Sequence, residues 1–379
     1  MTGSPRALHL AAAIDGAGAH PAAWRAAGTS TRRLCTADHY VRLALEAERG
    51  RLDFVTLDDA LAPATGSAGS PRARLDAVLT LARVAPLTSG IGLVPTVTTT
   101  HTEPFHVSKA VATLDYVSAG RAGWRFAVSG TAAEARHIGR RGLAAPEELW
   151  AEAAAVADVV ARLWDSWEDD AEIRDTASGR FIDREKLHYV DFTGPGWTVK
   201  GPSITPRPPQ GHPLVVARAD SAPALRAAAR HADVIVIAAA GLADARSGRA
   251  EVRTAVAAAG RAPDEVAVLA DTTVLLAADP PTARERRTRL DELAGPAAPR
   301  LDFVGTPADL ADRIARWAAA DAADGFLIRP AVLPTDLTAF VDEVVPRLRD
   351  QGLFRPEYTA DTLRGHFGLP RPANRYASA

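Results

Sequence analysis

The sequence predicts an α/β fold, a (β/α)8 TIM barrel in which eight parallel strands close into a ring and helices surround them. The first observation is that short apolar runs of strand length alternate with amphipathic helical stretches along most of the chain, which indicates a parallel sheet. The second is that there are eight such runs. The third is that no glycine-rich turn follows the first run, as it would in a doubly wound dinucleotide-binding sheet.

Each predicted strand is mostly aliphatic or β-branched, as expected for a strand covered on both faces. In chain order the strands are Leu8–Ile14, Asp53–Leu57, Ser89–Thr96, Gly123–Ser129, Leu214–Ala217, Val234–Ala238, Val266–Leu276 and Gly325–Arg329. The amphipathic stretches between and after them include Tyr40–Arg49, Glu147–Trp164, Pro223–His231, Asp309–Ala319 and Leu337–Asp350. We therefore interpret residues 1–379 as a single barrel domain.

Two segments depart from this alternation. Residues 165–212 are polar, rich in Gly and Pro, and too long for an ordinary connection between a helix and a strand. We predict that they form an insertion near the active end of the barrel, where they act as a lid that excludes water. Residues 354–379 lack strand periodicity and are predicted to be a C-terminal extension that wraps the barrel.

Composition excludes several classes of function. The net charge of −2 gives no electrostatic reason to expect binding to nucleic acid or to an anionic membrane. No apolar run approaches ~20 residues, so neither a membrane span nor a secretory signal is expected, and the cytoplasm is the expected location. The only cysteine, Cys35, rules out an internal disulfide, and no metal site is expected. A homodimer or homotetramer is the expected assembly.

The most informative segment runs from Thr96 to Trp124. Its pattern is that of a strand, a polar loop, a helix that begins at Pro104 and ends at Ser118-Ala-Gly120, and a second strand. The polar residues from Thr98 to Glu103 therefore follow the carboxyl end of a strand. That is where α/β barrels place their chemistry.

This segment closely resembles the bacterial luciferase-like flavin monooxygenases, in particular the branch of nitrilotriacetate, long-chain alkane and dibenzothiophene-sulfone monooxygenases. The resemblance extends over nearly the whole chain. It includes His20-Pro-Ala-Ala-Trp-Arg25, Leu52-Asp-Phe-Val-Thr-Leu-Asp-Asp59, Leu163-Trp-Asp-Ser-Trp-Glu-Asp-Asp-Ala171, Pro208-Pro-Gln-Gly-His-Pro213 and Val304-Gly-Thr-Pro307.

The resemblance implies a two-component, FMNH2-dependent monooxygenase. A separate flavin reductase would supply reduced FMN, and O2 would react through a flavin C4a-peroxide with a small organic substrate. One alternative is an oxidoreductase that uses the deazaflavin F420 on a related barrel. The other is a non-catalytic luciferase-like protein with a degraded flavin site.

The resemblance also implies five cofactor-binding residues. Asp59 corresponds to an acid near the flavin pyrimidine ring, and Thr100 to a hydroxyl that contacts the flavin. Arg125 stands where the family usually has the Asn that holds the ring, and Trp150 stands at a Tyr position. Ser221 begins a helix whose N-terminus would receive the flavin phosphate. No catalytic side chain is assigned, because the cofactor carries the chemistry.

Several of these positions differ from the family pattern. Arg125 would either hold an anionic reduced flavin or reach Asp59 and occupy the place of the ring, and the sequence leaves both interpretations open. Expected phosphate contacts are weakened, since the positions are occupied by Pro146, Ala219 and Ala224. Three nearby residues are alternative anion contacts, namely His137, Arg140 and Arg141.

Overall fold

The computed structural model describes residues 7–26, 31–63, 73–295 and 301–377. The strands are β1 (His9–Ala13), β2 (Phe54–Leu57), β3 (Gly92–Thr98), β4 (Gly123–Ala127), β5 (Glu172–Asp175), β6 (Arg180–Ile182), β7 (Phe192–Gly194), β8 (Trp197–Val199), β9 (Leu214–Arg218), β10 (Val234–Ala238), β11 (Ala267–Leu276), β12 (Phe303–Gly305) and β13 (Gly325–Pro330).

The helices are α1 (Ala37–Arg49), α2 (Ala77–Val84), α3 (Pro104–Val117), α4 (Ala132–Ile138), α5 (Pro146–Asp165), α6 (Ala222–His231), α7 (Leu242–Ala258), α8 (Pro280–Ala294), α9 (Pro307–Ala319), α10 (Thr335–Ala339), α11 (Val345–Asp350) and α12 (Leu363–His366). A π-helical turn at Phe340–Val344 joins α10 to α11. None of the helices in the described ranges combines the length and the apolar character that a membrane crossing requires.

Eight parallel strands close into a barrel, which confirms the predicted fold. The order around the ring is β1, β2, β3, β4, β9, β10, β11 and β13, and β13 pairs again with β1. These are the eight strands that the sequence predicts. The short strand β12 pairs with β11 outside the ring.

The closure between β1 and β13 depends on Gly325. This residue lies opposite His9, and a Cβ atom built on it would stand 2.0 Å from the His9 backbone oxygen. Any side chain at this position would therefore push the two strands apart. A glycine here allows the first and last strands of the ring to pair.

Alternate strand residues point into the barrel, and their apolar side chains fill the half of the interior nearer the amino ends of the strands. This interior cluster comprises Ala11, Phe54, Val94, Leu214, Val216, Val234, Val236, Ala267, Leu269 and Leu327. Continuing the same alternation one step toward the carboxyl ends leads to polar or charged residues, such as Asp271 after Leu269 and Arg329 after Leu327. The barrel interior thus changes from apolar to charged toward its carboxyl end.

The C-terminal extension closes the amino end of the barrel. Leu363 and Phe367 join the interior apolar cluster, and the Phe367 ring stacks on His9 with centroids 4.2 Å apart. The predicted wrap is therefore corrected in part, because residues 363–367 form a plug rather than an outer covering. Further along, Asn374 donates to the backbone oxygens of Asp165 and Trp167, so the extension ends against the insertion.

The insertion, residues 165–212, contains two antiparallel hairpins, β5–β6 and β7–β8. It leaves the C-terminal end of α5 and returns at the amino end of β9, where Gln210 donates to Asp115 and to the Ala122 oxygen. Val190 and Val199 pack on Val159 and Leu163 of α5. These contacts place the segment against the outer helices and the amino end of the barrel, rather than over the carboxyl ends as a lid would require.

A buried ionic cluster ties the C-terminal extension to β1 and β2. The Asp53 carboxylate accepts hydrogen bonds from the Leu10 backbone N–H at 2.7 Å and from Arg355 Nη1 at 2.8 Å, and it lies 3.2 Å from His9 Nδ1. Burial raises the pKa of Asp53, but the charges of His9 and Arg355 outweigh this and hold the pKa at about 2. The ionised carboxylate therefore stabilises the fold.

Replacing Asp53 by Asn is expected to lower the free energy of unfolding at pH 7 by about 3 kcal/mol, because it leaves Arg355 without its buried anionic partner. The wild-type contribution is present above the unfolded pKa near 4 and is lost as the pH falls toward about 2. Urea unfolding at pH 7, 5, 4 and 3 measures it. The difference in the free energy of unfolding between wild type and Asp53→Asn should become smaller as the pH falls. Asp264→Asn, which changes a 96% exposed side chain, is the control. A difference that stays constant with pH would contradict this assignment.

Candidate active site

The five residues expected to bind a cofactor all lie at the carboxyl end of the barrel. Asp59 follows β2, Thr100 follows β3, and Arg125 belongs to β4. Trp150 lies in the early part of α5, and Ser221 is the N-cap residue of α6, directly after β9. The parallel strands bring these positions to one face, because every strand ends there.

A ring of charged side chains of both signs occupies the barrel mouth at this end. We call it the charged ring, and it consists of Asp15, Asp58, Arg125, Arg218, Asp271 and Arg329. Arg125 Nη2 donates to Asp58, and Arg329 Nε contacts both Asp271 oxygens at 2.9 and 3.0 Å. Arg218 Nη1 donates to Asp271 at 2.5 Å, and the Asp58 backbone N–H donates to Asp15 at 2.6 Å. Six strands or strand ends thus contribute to one network.

The arginine at the centre of this ring is the most deeply buried. Only 7% of the Arg125 side chain is exposed, and burial lowers the pKa of its guanidinium to about 10, assisted by the nearby charge of Arg329. Arg125 therefore remains a cation at neutral pH. Burial also raises the pKa of Asp15, although Arg329 and Arg125 act in the opposite direction.

One of the two interpretations left open for Arg125, a contact with Asp59, is corrected by the structure. Arg125 pairs with Asp58 instead. The Asp59 carboxylate accepts hydrogen bonds from the backbone N–H groups of Ala60 at 2.8 Å and Ala77 at 3.0 Å, so it holds the start of α2. Burial raises the pKa of Asp59, and these two donors oppose the rise. The sequence could not separate the two adjacent acids, because which one faces the barrel depends on where β2 ends.

Thr100 is held between two elements at the rim of the mouth. Its Oγ1 accepts from the Ser129 backbone N–H at 2.9 Å, and its backbone oxygen accepts from Arg141 Nη2 at 2.6 Å. Arg141 is fixed in turn by an ion pair with Glu152 of α5. Arg141 therefore positions the loop of Thr100 and is not free to act as the alternative anion contact.

The other two alternative anion contacts are also engaged. Arg140 pairs with Glu103 at 3.3 Å on the exposed rim, and His137 Nδ1 lies 2.7 Å from the Ala133 oxygen within α4. Both side chains are bound within the outer rim. They do not point to a replacement phosphate site.

Trp150 and Ser221 lie on the same side of the mouth, between α5 and α6. The Trp150 ring meets Phe126 edge-to-face with centroids 6.2 Å apart, and Ser221 Oγ accepts from the Ala224 N–H at 3.3 Å. A recess of about 190 Å³ between the two helices is lined by Trp150, Pro223, Arg226 and Arg230, among others. This recess contains two guanidinium groups, of which Arg226 lies in the first half of α6 and Arg230 in its last turn.

Most of the charged ring was not identified from the sequence. Only Arg125 is a candidate residue from the sequence, and the other five members of the ring are not. A signal was present nonetheless. Asp271 interrupts the apolar strand β11, and Arg329 ends the apolar strand β13, and a charge in a buried strand needs a partner.

The mouth offers donors that suit a flavin. Within the described residues, the buried atoms Arg125 Nη1 and Ser129 Oγ have no hydrogen-bond partner. Buried donors are nearly always satisfied in a folded protein, so an unpaired guanidinium nitrogen indicates a missing acceptor. The carbonyl and nitrogen edge of a flavin supplies such acceptors, and a reduced flavin is readily anionic. The residues present therefore fit this cofactor at its pyrimidine edge.

The barrel and the buried donors at its mouth indicate an oxidoreductase that binds a flavin. The model of the luciferase-like monooxygenase family matches residues 17–325. The chain belongs to this family, and it is a flavin-dependent monooxygenase.

Individual relatives agree over the full length. The chain is 31% identical to N-acetyl-S-(2-succino)cysteine monooxygenase of Bacillus subtilis (strain 168), with 100% of both chains covered. It is 32% identical to nitrilotriacetate monooxygenase component A of Aminobacter aminovorans, with 99% of each covered. It also resembles a crystal structure of a riboflavin lyase with modified FMN and riboflavin, at a TM-score of 0.88 and 25% identity over 97% of each chain.

Proposed function

We propose that this chain is the oxygenase component of a two-component system, which receives reduced FMN from a separate flavin reductase and oxygenates a small organic substrate. The observation that carries the proposal is the buried, unpaired Nη1 of Arg125 at the mouth of the barrel, within the described residues. It matches the need of an anionic flavin edge for a cationic donor. The similarity to nitrilotriacetate monooxygenase component A and to the riboflavin lyase structure with modified FMN supports the same assignment.

Reduced FMN, when bound, supplies the activation of O2. The chain's own residues bind and orient it. Arg125 Nη1 would donate to the pyrimidine edge, while the pair of Arg125 with Asp58 holds the guanidinium in place. Thr100, which is fixed by Ser129 and Arg141, would offer its hydroxyl to the flavin.

The phosphate end of the cofactor is proposed to lie beside α6. The first-turn N–H groups of this helix, with Ser221 as N-cap, favour an anion, and Arg226 stands in the neighbouring recess with Trp150. Asp220, which pairs with Arg218 at 2.7 Å, opposes an anion there. We therefore propose a phosphate site weaker than the family pattern implies, and a cofactor that exchanges readily with the reductase.

Oxygenation is expected to require the reductase, because no nicotinamide-binding turn is present in the sequence. The test combines NADH, FMN, O2 and a panel of thioethers and amines with the purified chain, with and without a flavin reductase, and detects oxygenated product by mass spectrometry. Product is expected only with the reductase. Sustained product formation on NADH without it would rule out the two-component assignment.

Direct titration separates the alternatives to this function. Tryptophan fluorescence is followed anaerobically while FMNH2, FMN or reduced F420 is added. The proposal predicts that FMNH2 binds tightest. Tight binding of F420 alone would instead favour the hydride-transfer alternative. Absence of binding by all three cofactors would favour the non-catalytic one.

A further inference from the structure

A cavity of about 330 Å³ lies at the amino end of the barrel, opposite the charged ring. We call it the amino-end cavity. Its position follows from its lining, because Leu8 directly precedes β1 and Asp324 directly precedes β13. The end of α9 and the middle of α7 form its other sides. The cavity is therefore separate from the site proposed for the flavin.

Most of the wall of the amino-end cavity is apolar. Small side chains from one face of α9 meet two leucines there, and the wall comprises Leu8, Ala315, Ala318, Ala319 and Leu353. The Leu8 backbone N–H donates to the Leu353 oxygen at 2.9 Å, which holds the two leucine segments together. A concave, largely apolar wall of this size is typical of small-molecule sites, where a few polar groups fix the orientation of the ligand.

One arginine from α7 forms the polar end of the cavity. Arg249 Nη1 donates to Asp321 at 2.8 Å, and Arg249 Nη2 donates to Asp324 at 2.9 Å. The Nε atom of Arg249 is buried and, in the part of the chain that the structure describes, has no hydrogen-bond partner. A buried N–H of this kind gains a full hydrogen bond when a molecule in the cavity supplies an acceptor.

The surroundings of Arg249 favour an uncharged acceptor. Its guanidinium charge is already matched by the carboxylates of Asp321 and Asp324, which would repel an anion. A ligand ammonium group has no lone pair and could not accept from Nε at all. A carbonyl or ether oxygen accepts this hydrogen bond without adding charge, and it leaves the two ion pairs unchanged.

We propose that the amino-end cavity is a second ligand site, which takes a small uncharged molecule with an apolar body and one acceptor oxygen, such as an aryl ketone. The apolar body packs on the alanines of α9, and the oxygen accepts from Arg249 Nε. This binding requires neither flavin nor O2. It therefore goes beyond the proposed function and does not depend on it.

Four probes that share one phenyl ring test the ligand class. Acetophenone has an uncharged acceptor, ethylbenzene has none, benzoate is an anion and benzylamine is a cation. Their dissociation constants with the full chain are measured by ligand-observed NMR at neutral pH without flavin. Acetophenone is expected to bind roughly three- to tenfold tighter than each of the others, as one net hydrogen bond allows. Equal or tighter binding of any other probe, or no detectable binding of acetophenone, overturns the inference.

A cavity-filling variant locates the binding. Ala319 is the exposed last residue of α9 and lines the cavity, so Ala319→Phe is expected to weaken acetophenone binding by about tenfold or more. Ala258, the exposed last residue of α7, does not line the cavity, so Ala258→Phe is the matched control and should bind as wild type does. Thermal unfolding verifies that both variants fold. Unchanged affinity in a folded Ala319→Phe variant overturns the inference.

A second variant tests the donor. Arg249→Met is expected to abolish the preference for acetophenone over ethylbenzene, while the affinity for ethylbenzene changes by less than about twofold. Arg253 remains as a partner of Asp324 in this variant. Arg246→Met, at an exposed arginine of the same helix, is the control and should keep the preference. A folded Arg249→Met variant that keeps the preference overturns the inference.

Two further measurements keep this inference separate from the proposed function. Arg125→Met should bind acetophenone as wild type does, and Ala319→Phe should bind FMNH2 as wild type does in the fluorescence titration. Loss of acetophenone binding in Arg125→Met would place the probe at the mouth of the barrel and overturn the inference. Absence of FMNH2 binding in the wild type would refute the monooxygenase proposal, and acetophenone binding that responds to Ala319→Phe and Arg249→Met would still uphold the amino-end cavity as a ligand site.

Discussion

Replacing Arg125 by methionine is expected to weaken the binding of reduced FMN by roughly 10- to 100-fold, with a smaller effect on oxidised FMN. A hydrogen bond to a charged group contributes about 1.5–3 kcal/mol, and methionine removes both the charge and the unpaired Nη1 donor. Only the reduced flavin is readily anionic, so it should suffer more. Anaerobic fluorescence titration with the two forms of FMN measures both dissociation constants.

Arg140→Met provides the control for this variant. Arg140 lies on the outer rim at the same end of the barrel, where its side chain is 63% exposed and its partner Glu103 is exposed as well. Removing the Arg140 guanidinium should change the affinity for neither reduced nor oxidised FMN. The family usually has Asn at this position. If the Arg125→Asn variant binds flavin more tightly than wild type does, the guanidinium occupies the place of the cofactor, and the alternative of a degraded flavin site is favoured.

Arg121→Met is expected to lower the free energy of unfolding by about 3–5 kcal/mol. Arg121 is 4% exposed and has five hydrogen bonds, to Thr88 Oγ1 and to the backbone oxygens of Ala85, Thr88, Ile91 and Ser118. Methionine fills the space but leaves several buried acceptors unpaired, each costing about 1–3 kcal/mol. Urea unfolding at neutral pH measures the change.

Two further variants test the reason for this loss. Arg121→Lys keeps a cation but has one nitrogen instead of three, so it should recover only part of the lost stability. Arg83→Met, at an exposed arginine of the neighbouring helix α2, should have an effect within about 0.5 kcal/mol. Equal stability of Arg121→Met and wild type would show that these carbonyl contacts contribute nothing net.

The barrel was predictable because its strands are buried on both faces and read as continuous apolar runs. All eight formed where the sequence placed them, within a few residues at each end. The insertion and the C-terminal extension were recognised as departures from the alternation, but their positions were not predictable. Gln210 meets Asp115, and Phe367 meets His9, only after distant parts of the chain have come together. No local pattern encodes such contacts.

The site divides in the same way. Strand ends identify the carboxyl face, so the location of Thr100 and Arg125 at that face was predictable from the sequence. The charged groups around Arg125 were not predictable, because Asp15, Asp271 and Arg329 are far from it in the sequence and come near it only when the barrel closes. Whether Asp58 or Asp59 faces inward depends on a single residue of register. An ionic network across a barrel is a property of the closed ring and not of any segment within it.

The plug at the amino end of the barrel sets a limit on how the protein can be made. Strand β1 pairs with β13 to close the ring. The apolar interior is covered at the amino end of the barrel only when Phe367 stacks on His9. Both events wait until almost the whole chain has left the ribosome, so early segments stay open for most of the time of synthesis. Nascent chains that lack Phe367 would expose the apolar interior of the barrel to chaperones and proteases. The native interior of the barrel is therefore complete only after the segment at residues 363–367 has docked.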